Sequence, residues 1–194
     1  MNGEPIESVN NGLESMLTFL RQDPFALESV YLSIITFDSQ IKLILPLTEL
    51  EAVNLPKITA SGATHLGDAL EFLCQTVDRE IIRNTPEHKG DWMPLLFILT
   101  DGKPSDSPKV KQQALEVKKR NFGNIIACTA GPKARDVNLT ELTSHIVHLD
   151  TTDSATFRQF FKWVSSTVSI GNRSMGATDE AVLPPPPPEI QVVV

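Results

Sequence analysis

The spacing of apolar residues changes several times along the chain and predicts separate helices and strands. Between residues 5 and 20, apolar side chains recur every three or four positions, with Pro5 near the start, which predicts an amphipathic helix. Residues 30–37 form a mostly apolar, β-branched run, which is typical of a strand buried on both faces. In residues 41–47 apolar positions alternate with Lys42 and Pro46, so we expect an antiparallel edge strand, where proline is tolerated.

The same alternation of helical and strand patterns continues to about residue 168. The predicted elements are a helix at 64–84, a strand at 95–100, a helix at 107–120, strands at 125–130 and 145–149, and a helix from 154. Strands that alternate with helices favour an α/β fold in which helices cover both faces of the sheet. We therefore expect a three-layer, doubly wound, mostly parallel sheet with one antiparallel edge strand.

The composition changes after this pattern ends. Residues 184–188 are an uninterrupted proline run, which favours polyproline II structure over a packed core. The last residues, 189–194, are extended and apolar, and they can either pair with a sheet edge or remain disordered. We interpret residues 1–168 as one domain and residues 169–194 as a flexible proline-rich tail.

Charge and cysteine content exclude several classes of protein. A formal net charge of -7 and a pI near 5.1 argue against a nucleic-acid partner, which needs a clustered basic surface. The sequence has no apolar run of the ~20 residues that span a membrane, and residues 1–5 lack the features of a secretory signal. Because Cys74 and Cys128 are too few for a disulfide framework, we expect reduced thiols and a cytoplasmic protein.

Two loops carry the candidate chemistry. The strand at 95–100 ends on Asp101, and the loop before the second predicted helix contains Thr64. Ligands of open α/β sheets bind outside the carboxyl ends of the strands. We therefore expect the Asp101 carboxylate and the Thr64 hydroxyl to lie together at this edge of the sheet, near the turn at 38–39, and we call this edge the rim. Oxygen ligands of this kind suit Mg²⁺ or Mn²⁺.

Each part of this candidate site also has a purely structural interpretation. An Asp-Gly pair after a strand is a common turn, and Thr64 can serve as a helix cap. Ser61 and Gly62 can serve only the turn, and His65 can simply face solvent. The histidines and cysteines have no spacing that resembles a zinc site.

Taken together, residues 61–70 and 97–102 resemble the von Willebrand factor type A (VWA) family. With the proline-rich end of the chain, the whole pattern is most similar to the TerY-type members associated with tellurium resistance. The resemblance implies a metal-ion-dependent adhesion site (MIDAS), in which three loops supply an Asp-x-Ser-x-Ser motif, a threonine and an aspartate. Thr64 and Asp101 match the second and third loops as metal ligands. Five residues would form the partner-binding rim: Ser61, Gly62, His65, Gly102 and Lys103.

The sequence departs from the family pattern at its start. In the family, a strand ending in Asp-x-Ser-x-Ser precedes the first helix and lies in the sheet between the strands found here at 30–37 and 95–100. The residues at 1–6 match those that follow this motif, so the first, central strand is absent from this chain. Either the natural chain begins upstream of Met1, or this is a short form with an incomplete sheet. In both cases we expect these 194 residues to bind metal weakly.

Three functions are consistent with these residues. The first is a non-enzymatic interaction module of a tellurium-resistance or stress-response system, which binds an acidic residue of a partner protein through a divalent cation. The second is a metal-independent scaffold that uses the sheet rim or the proline-rich tail. The third is a phosphoryl-transfer hydrolase that uses Asp101, although the sequence has no phosphate-cradling glycine loop and no second carboxylate motif at a first strand.

Overall fold

The computed structural model of the chain describes residues 1, 3–134, 137–174, 183–187 and 190–193. The helices are α1 (Glu4–Leu20), α2 (Pro24–Ser29), α3 (Leu66–Glu80), α4 (Ser107–Lys118) and α5 (Ser154–Ser174). The strands are β1 (Tyr31–Phe37), β2 (Ile41–Glu49), β3 (Leu95–Thr100), β4 (Asn124–Ala130), β5 (His145–Leu149) and β6 (Ile190–Val193).

The strands form two separate sheets. β3, β4 and β5 pair in parallel, and β6 adds to β5 in the antiparallel direction. β1 and β2 form an antiparallel hairpin that does not hydrogen-bond to β3. The predicted α/β fold and the antiparallel edge strand at β2 are confirmed, and no described strand lies between β1 and β3.

Two helical layers cover both sheets. One core cluster contains Ile126 and Cys128 of β4 together with apolar residues of α1 and α5. The other contains Ala127 of β4 together with residues of α3 and α4. Successive residues of a strand point to opposite faces, so β4 is buried on both sides, as its continuous apolar sequence predicts. The largest fully buried side chains are Phe157 and Phe160 of α5.

The tail predicted over residues 169–194 lies partly outside the described residues, which here are 169–174, 183–187 and 190–193. α5 continues past residue 168 to Ser174, and residues 190–193 form β6 at the edge of the larger sheet. Ile190 is 4% exposed and joins the core beside α1 and α5. The Nε1–H group of Trp163 donates to the Pro184 carbonyl oxygen at 3.0 Å. Pairing with β6 satisfies backbone groups on β5 that would otherwise form an open edge.

Smaller differences concern element ends and short elements. Helix α3 begins at Leu66 and ends at Glu80, whereas the pattern predicted residues 64–84. The short helix α2 was not predicted, although Pro24 and the capping side chain of Asp23 are typical of a helix start. Cys74 and Cys128 are buried and unpaired. Among the described residues, no helix is both long and apolar enough to cross a membrane.

Candidate functional site

Asp101 lies where β3 ends, and the turn that follows it is held by Thr100. The Thr100 hydroxyl donates to the Gly102 carbonyl oxygen at 3.1 Å and accepts from the Gly102 N–H at 3.4 Å. The Asp101 side chain remains 33% exposed, and its Oδ2 lies 2.7 Å from the terminal ammonium of Met1. The strand therefore presents a partly exposed carboxylate at the rim.

The loop of Thr64 is hydrogen-bonded to the loop that follows Asp101. The Thr64 carbonyl oxygen accepts hydrogen bonds from the backbone N–H of Ser105 at 2.9 Å and from its hydroxyl at 3.0 Å. A Cβ atom on Gly102 would lie 3.6 Å from Thr64 Oγ1, so the hydroxyl lies next to the residue after Asp101. The structure thus brings Thr64 and the Asp101 turn together.

The tip of the β1–β2 hairpin supports the other end of the Thr64 loop. Asp38 Oδ2 accepts from both the backbone N–H (3.2 Å) and the hydroxyl (2.9 Å) of Ser61, and the Ser39 hydroxyl accepts from the Ala63 N–H at 3.2 Å. The hydrogen bond from the Gln40 N–H, followed by those from Ser61, lowers the pKa of Asp38 below its ordinary value. The ionised form is favoured because these donors bind the negative charge.

Gly62 lies where the Thr64 loop packs against the tip of the β1–β2 hairpin. Its φ of +78° lies in the left-handed region that favours glycine. A Cβ atom there would overlap Oγ of Ser39. Glycine at this position therefore permits both the turn and the contact with the hairpin.

Behind the rim, the first turns of α3 and α4 are in close contact. Asp106 Oδ2 accepts from the Asp68 N–H at 3.0 Å, and a Cβ atom on Gly67 would lie 2.8 Å from that same oxygen. Lys109 Nζ donates to Asp68 Oδ1 at 2.6 Å and to Glu71 Oε2 at 2.7 Å. These hydrogen bonds from Lys109 to Asp68 and then to Glu71 raise the lysine pKa above its usual range. These hydrogen bonds connect the start of α3, just after Thr64, with the start of α4.

The remaining predicted rim residues are His65 and Lys103. His65 is 34% exposed, and its Nδ1 lies 3.9 Å from Asp68 Oδ2, so it is half-buried and not fully in solvent. It is the N-cap residue of α3, and its side chain makes no capping hydrogen bond. Lys103 is exposed. Sequence reasoning missed Ser105 and Lys109, because their contacts with residues 64, 68 and 71 join distant parts of the chain.

The donor atoms at the rim suit a hard cation but are few. Asp101 supplies a carboxylate and Thr64 a neutral hydroxyl, which are the ligand types that Mg²⁺ or Mn²⁺ prefers. Within the described ranges, no three histidine, cysteine, aspartate or glutamate side chains form a group able to hold a metal ion. The residues present therefore fit a cation that keeps several water ligands, consistent with weak binding.

Comparison with known proteins agrees with this arrangement of loops. The family model described as "von Willebrand factor type A domain" matches residues 1–163. The chain belongs to the VWA family. VWA domains are protein-interaction modules, and they often bind a divalent metal at a MIDAS. The family match covers both the Thr64 loop and the Asp101 loop.

A solved structure with the same fold supports this assignment. This VWA domain is similar to proximal thread matrix protein 1 from the mussel byssus, with a TM-score of 0.62 and 14% identity over 87% of this chain and 43% of that chain. A second structure of the mussel protein, with a zinc-occupied MIDAS motif, gives a TM-score of 0.47 and 16% identity over 78% of this chain and 39% of that chain. The chain spans less than half the length of the mussel protein. A search of curated proteins found no match.

Proposed function

We propose that this VWA domain binds an acidic side chain of a partner protein through a divalent cation held at the rim by Asp101 and Thr64. The observation that carries the proposal is the position of Asp101. Its carboxylate is partly exposed at the carboxyl end of β3, beside the loop that carries the Thr64 hydroxyl. The adjacent Thr64 hydroxyl is the second oxygen donor, directly or through water.

The chemistry of this donor set favours adhesion. One carboxylate and one neutral hydroxyl leave a divalent cation with most of its positive charge, so it attracts a further oxygen ligand. A carboxylate of the partner would supply that ligand. Ser61, Gly62, His65, Gly102 and Lys103 would shape the surface around it.

A titration with Mn²⁺ tests this proposal directly. We expect the paramagnetic ion to broaden the amide NMR signals of residues 61–65 and 101–105 first, at millimolar concentration, and the Asp101→Asn variant to lose this selective broadening. A matched control is Glu51→Gln, which changes an exposed carboxylate in the turn after β2. Equal broadening in the wild-type chain and in Asp101→Asn would contradict the proposal.

A second titration tests the adhesive step. A short peptide with a single glutamate, added in the presence of Mn²⁺, should shift the same amide signals, whereas the glutamine peptide should not. Chelation of Mn²⁺ should reverse the shifts. Shifts that persist after chelation would instead support the metal-independent scaffold.

The structure gives less support to the two alternatives. The Pro184 carbonyl of the proline-rich segment accepts a hydrogen bond from Trp163, so at this residue the segment is held against the domain. A phosphoryl-transfer hydrolase generally needs several acidic groups around one or two metal ions, and in the described part of the chain no such group forms. Because VWA domains are generally interaction modules, we favour this function over an enzyme.

We further propose, from the motif resemblance alone, that the partners belong to a TerY-type stress-response system in the cytoplasm. Affinity capture from cells challenged with tellurite tests this assignment, with Asp101→Asn as the matched bait. Capture of the same acidic partner by both baits would argue against a rim-dependent interaction.

A further inference from the structure

The start of α3 is capped by a residue from another part of the chain. The N-cap residue of this helix, His65, makes no side-chain capping hydrogen bond. Instead, Asp106 Oδ2 accepts a hydrogen bond from the N–H of Asp68 at 3.0 Å. Asp68 is the third residue of α3, and the N–H at this position is one of the donors that an N-cap side chain normally binds. Asp106 therefore caps a helix that lies earlier in the chain.

The sequence of α4 explains why the Asp106 side chain is available for this contact. Asp106 is the N-cap residue of α4, but its side chain makes no capping hydrogen bond there. An N-cap side chain normally binds the N–H of the second or third helical residue. In α4 the second residue is Pro108, which has no N–H, and the N–H of the third, Lys109, donates to the Asp106 carbonyl oxygen at 2.8 Å. The carboxylate of Asp106 is therefore not needed by its own helix.

Gly67 allows the starts of the two helices to approach each other. A Cβ atom on Gly67 would lie 2.8 Å from Asp106 Oδ2 and 2.8 Å from Cβ of Lys109, which is closer than such atoms can pack. Gly67 is buried within α3, where alanine is intrinsically favoured over glycine. The contact with Asp106, and not the helical conformation, therefore explains the glycine.

The residue before Asp106 contacts the loop of Thr64 directly. Ser105 donates to the Thr64 carbonyl oxygen from its backbone N–H at 2.9 Å and from its hydroxyl at 3.0 Å. Ser105 and Asp106 both belong to the loop that leads from Asp101 into α4. Two consecutive residues of this loop thus hold the Thr64 backbone and the first turn of the helix that follows it. Together they determine how close the Thr64 hydroxyl lies to Asp101.

We propose that Asp106 is a positioning residue for the cation site: by capping α3, its carboxylate holds the Thr64 hydroxyl beside Asp101. Asp106 does not itself bind the cation. Its Oδ2 is engaged by the Asp68 N–H and its Oδ1 is buried, whereas the Asp101 side chain is 33% exposed. The effect on metal binding rests on the function proposed above, but the capping of α3 does not.

The first measurement needs no metal. It follows amide hydrogen exchange of the Ser105 N–H, whose acceptor is the Thr64 carbonyl oxygen, by NMR on the whole chain. We expect Asp106→Ala to speed this exchange about tenfold, the effect of one lost hydrogen bond. Asp106→Asn should keep the wild-type rate, because its side-chain oxygen can still accept from Asp68. The matched control is Asp23→Ala, which removes the side-chain cap of α2, away from the rim. A wild-type rate in Asp106→Ala would overturn the proposal.

Gly67→Ala tests the same contact with Asp106 unchanged. The added Cβ displaces the Asp106 carboxylate, although alanine itself favours the helix. We expect faster exchange of the Ser105 N–H, as in Asp106→Ala. Exchange at the wild-type rate would show that the capping contact does not hold the Thr64 loop, and the proposal would be wrong.

The second measurement is the Mn²⁺ titration of the same variants. We expect the Mn²⁺ concentration that half-broadens the signals of residues 101–105 to rise about tenfold in Asp106→Ala and to stay at the wild-type value in Asp106→Asn. If Asp106→Asn loses the broadening as fully as Asp101→Asn, the Asp106 carboxylate acts as a ligand or as a charge, and the positioning role is wrong. A lack of selective broadening in the wild-type chain would contradict the cation site alone, and the exchange rates would then decide the capping role.

A double-mutant cycle shows whether Asp106 acts through Thr64. Thr64→Val removes the hydroxyl and keeps the shape of the side chain. Positioning predicts that Asp106→Ala weakens Mn²⁺ binding in the wild-type background but has no further effect in Thr64→Val, since residues that act through one another are not additive. If the two losses add, Asp106 influences the site independently of Thr64, and the proposal is overturned.

Discussion

Gly62 and Ser39 lie so close together that a side chain on Gly62 would overlap the Ser39 hydroxyl. This contact joins the hairpin tip to the loop of Thr64, although the two residues are far apart in the sequence. It makes the position of the Thr64 loop depend on a glycine that is itself exposed.

Gly62→Ala should therefore destabilise the domain. A non-glycine residue in the left-handed region costs about 1–2 kcal/mol, and the overlap adds a smaller cost because the exposed Ser39 hydroxyl must move from its place. Urea unfolding of the variant measures the total. In Gly62→Ala with Ser39→Gly, the overlap is removed and the backbone strain remains, so we expect partial recovery. Full recovery would show that the φ of +78° costs nothing.

Acid should weaken the same connection through Asp38. Its pKa is lowered in the folded chain by the N–H of Gln40 and then by Ser61. A carboxylate with a lowered folded pKa adds stability above its unfolded pKa, near 4, and this stability is lost as the pH falls through the folded value. We expect the free energy of unfolding to decline below about pH 4, and Asp38→Asn to reduce the slope of that decline. The control Glu51→Gln should leave the slope closer to that of the wild-type chain.

The end of the chain should contribute strongly to stability. Ile190→Ala removes a side chain that is 4% exposed, and such truncations cost about 2–5 kcal/mol. Trp163→Phe keeps an aromatic ring but removes the donor to the Pro184 carbonyl, with an expected cost of about 1 kcal/mol. Thermal or urea unfolding checks both values. If Ile190→Ala proves neutral, β6 is not docked in solution.

The reactivity of each cysteine thiol should measure how well one of the two core clusters excludes solvent. Cys128 belongs to the cluster with α1 and α5, whereas Cys74 belongs to the cluster with α3 and α4. Burial raises the pKa of both thiols, which further slows their reaction with disulfide reagents. In native buffer we expect each thiol to react at least a hundredfold slower than in urea. The single variants Cys74→Ser and Cys128→Ser assign the rates, and a fast native rate at either site would show an open core.

Local patterns of apolar and polar residues predicted much of this fold, because these patterns are strong in β2 and β3. The apolar run of β3 stops at Asp101, and the structure ends the strand at Thr100. The alternation around Pro46 predicted an edge strand, and β2 pairs only with β1 in the described chain. The order of helices and strands then fixed which loops share the rim.

Features that depend on distant contacts were not predictable from the same patterns. Helix α3 begins at Leu66 instead of at the predicted Thr64, because the Thr64 carbonyl oxygen accepts hydrogen bonds from Ser105. The pairing of Asp38 with Ser61 also depends on tertiary structure. β6 has a short apolar sequence that is compatible with disorder, and only the free edge of β5 gives it a place to pair.

The separation of the two sheets has a consequence for how the domain opens. Hydrogen bonds within a continuous sheet transmit cooperativity from strand to strand, whereas among the described residues the β1–β2 hairpin contacts the larger sheet through loops, helix packing and side chains. Such a hairpin can act as an independent unit of sub-global unfolding. Its tip holds Ser61 and contacts Gly62. Fluctuations of the hairpin would therefore set the lifetime of an ordered Thr64 loop, and with it the dissociation rate of anything bound at the rim.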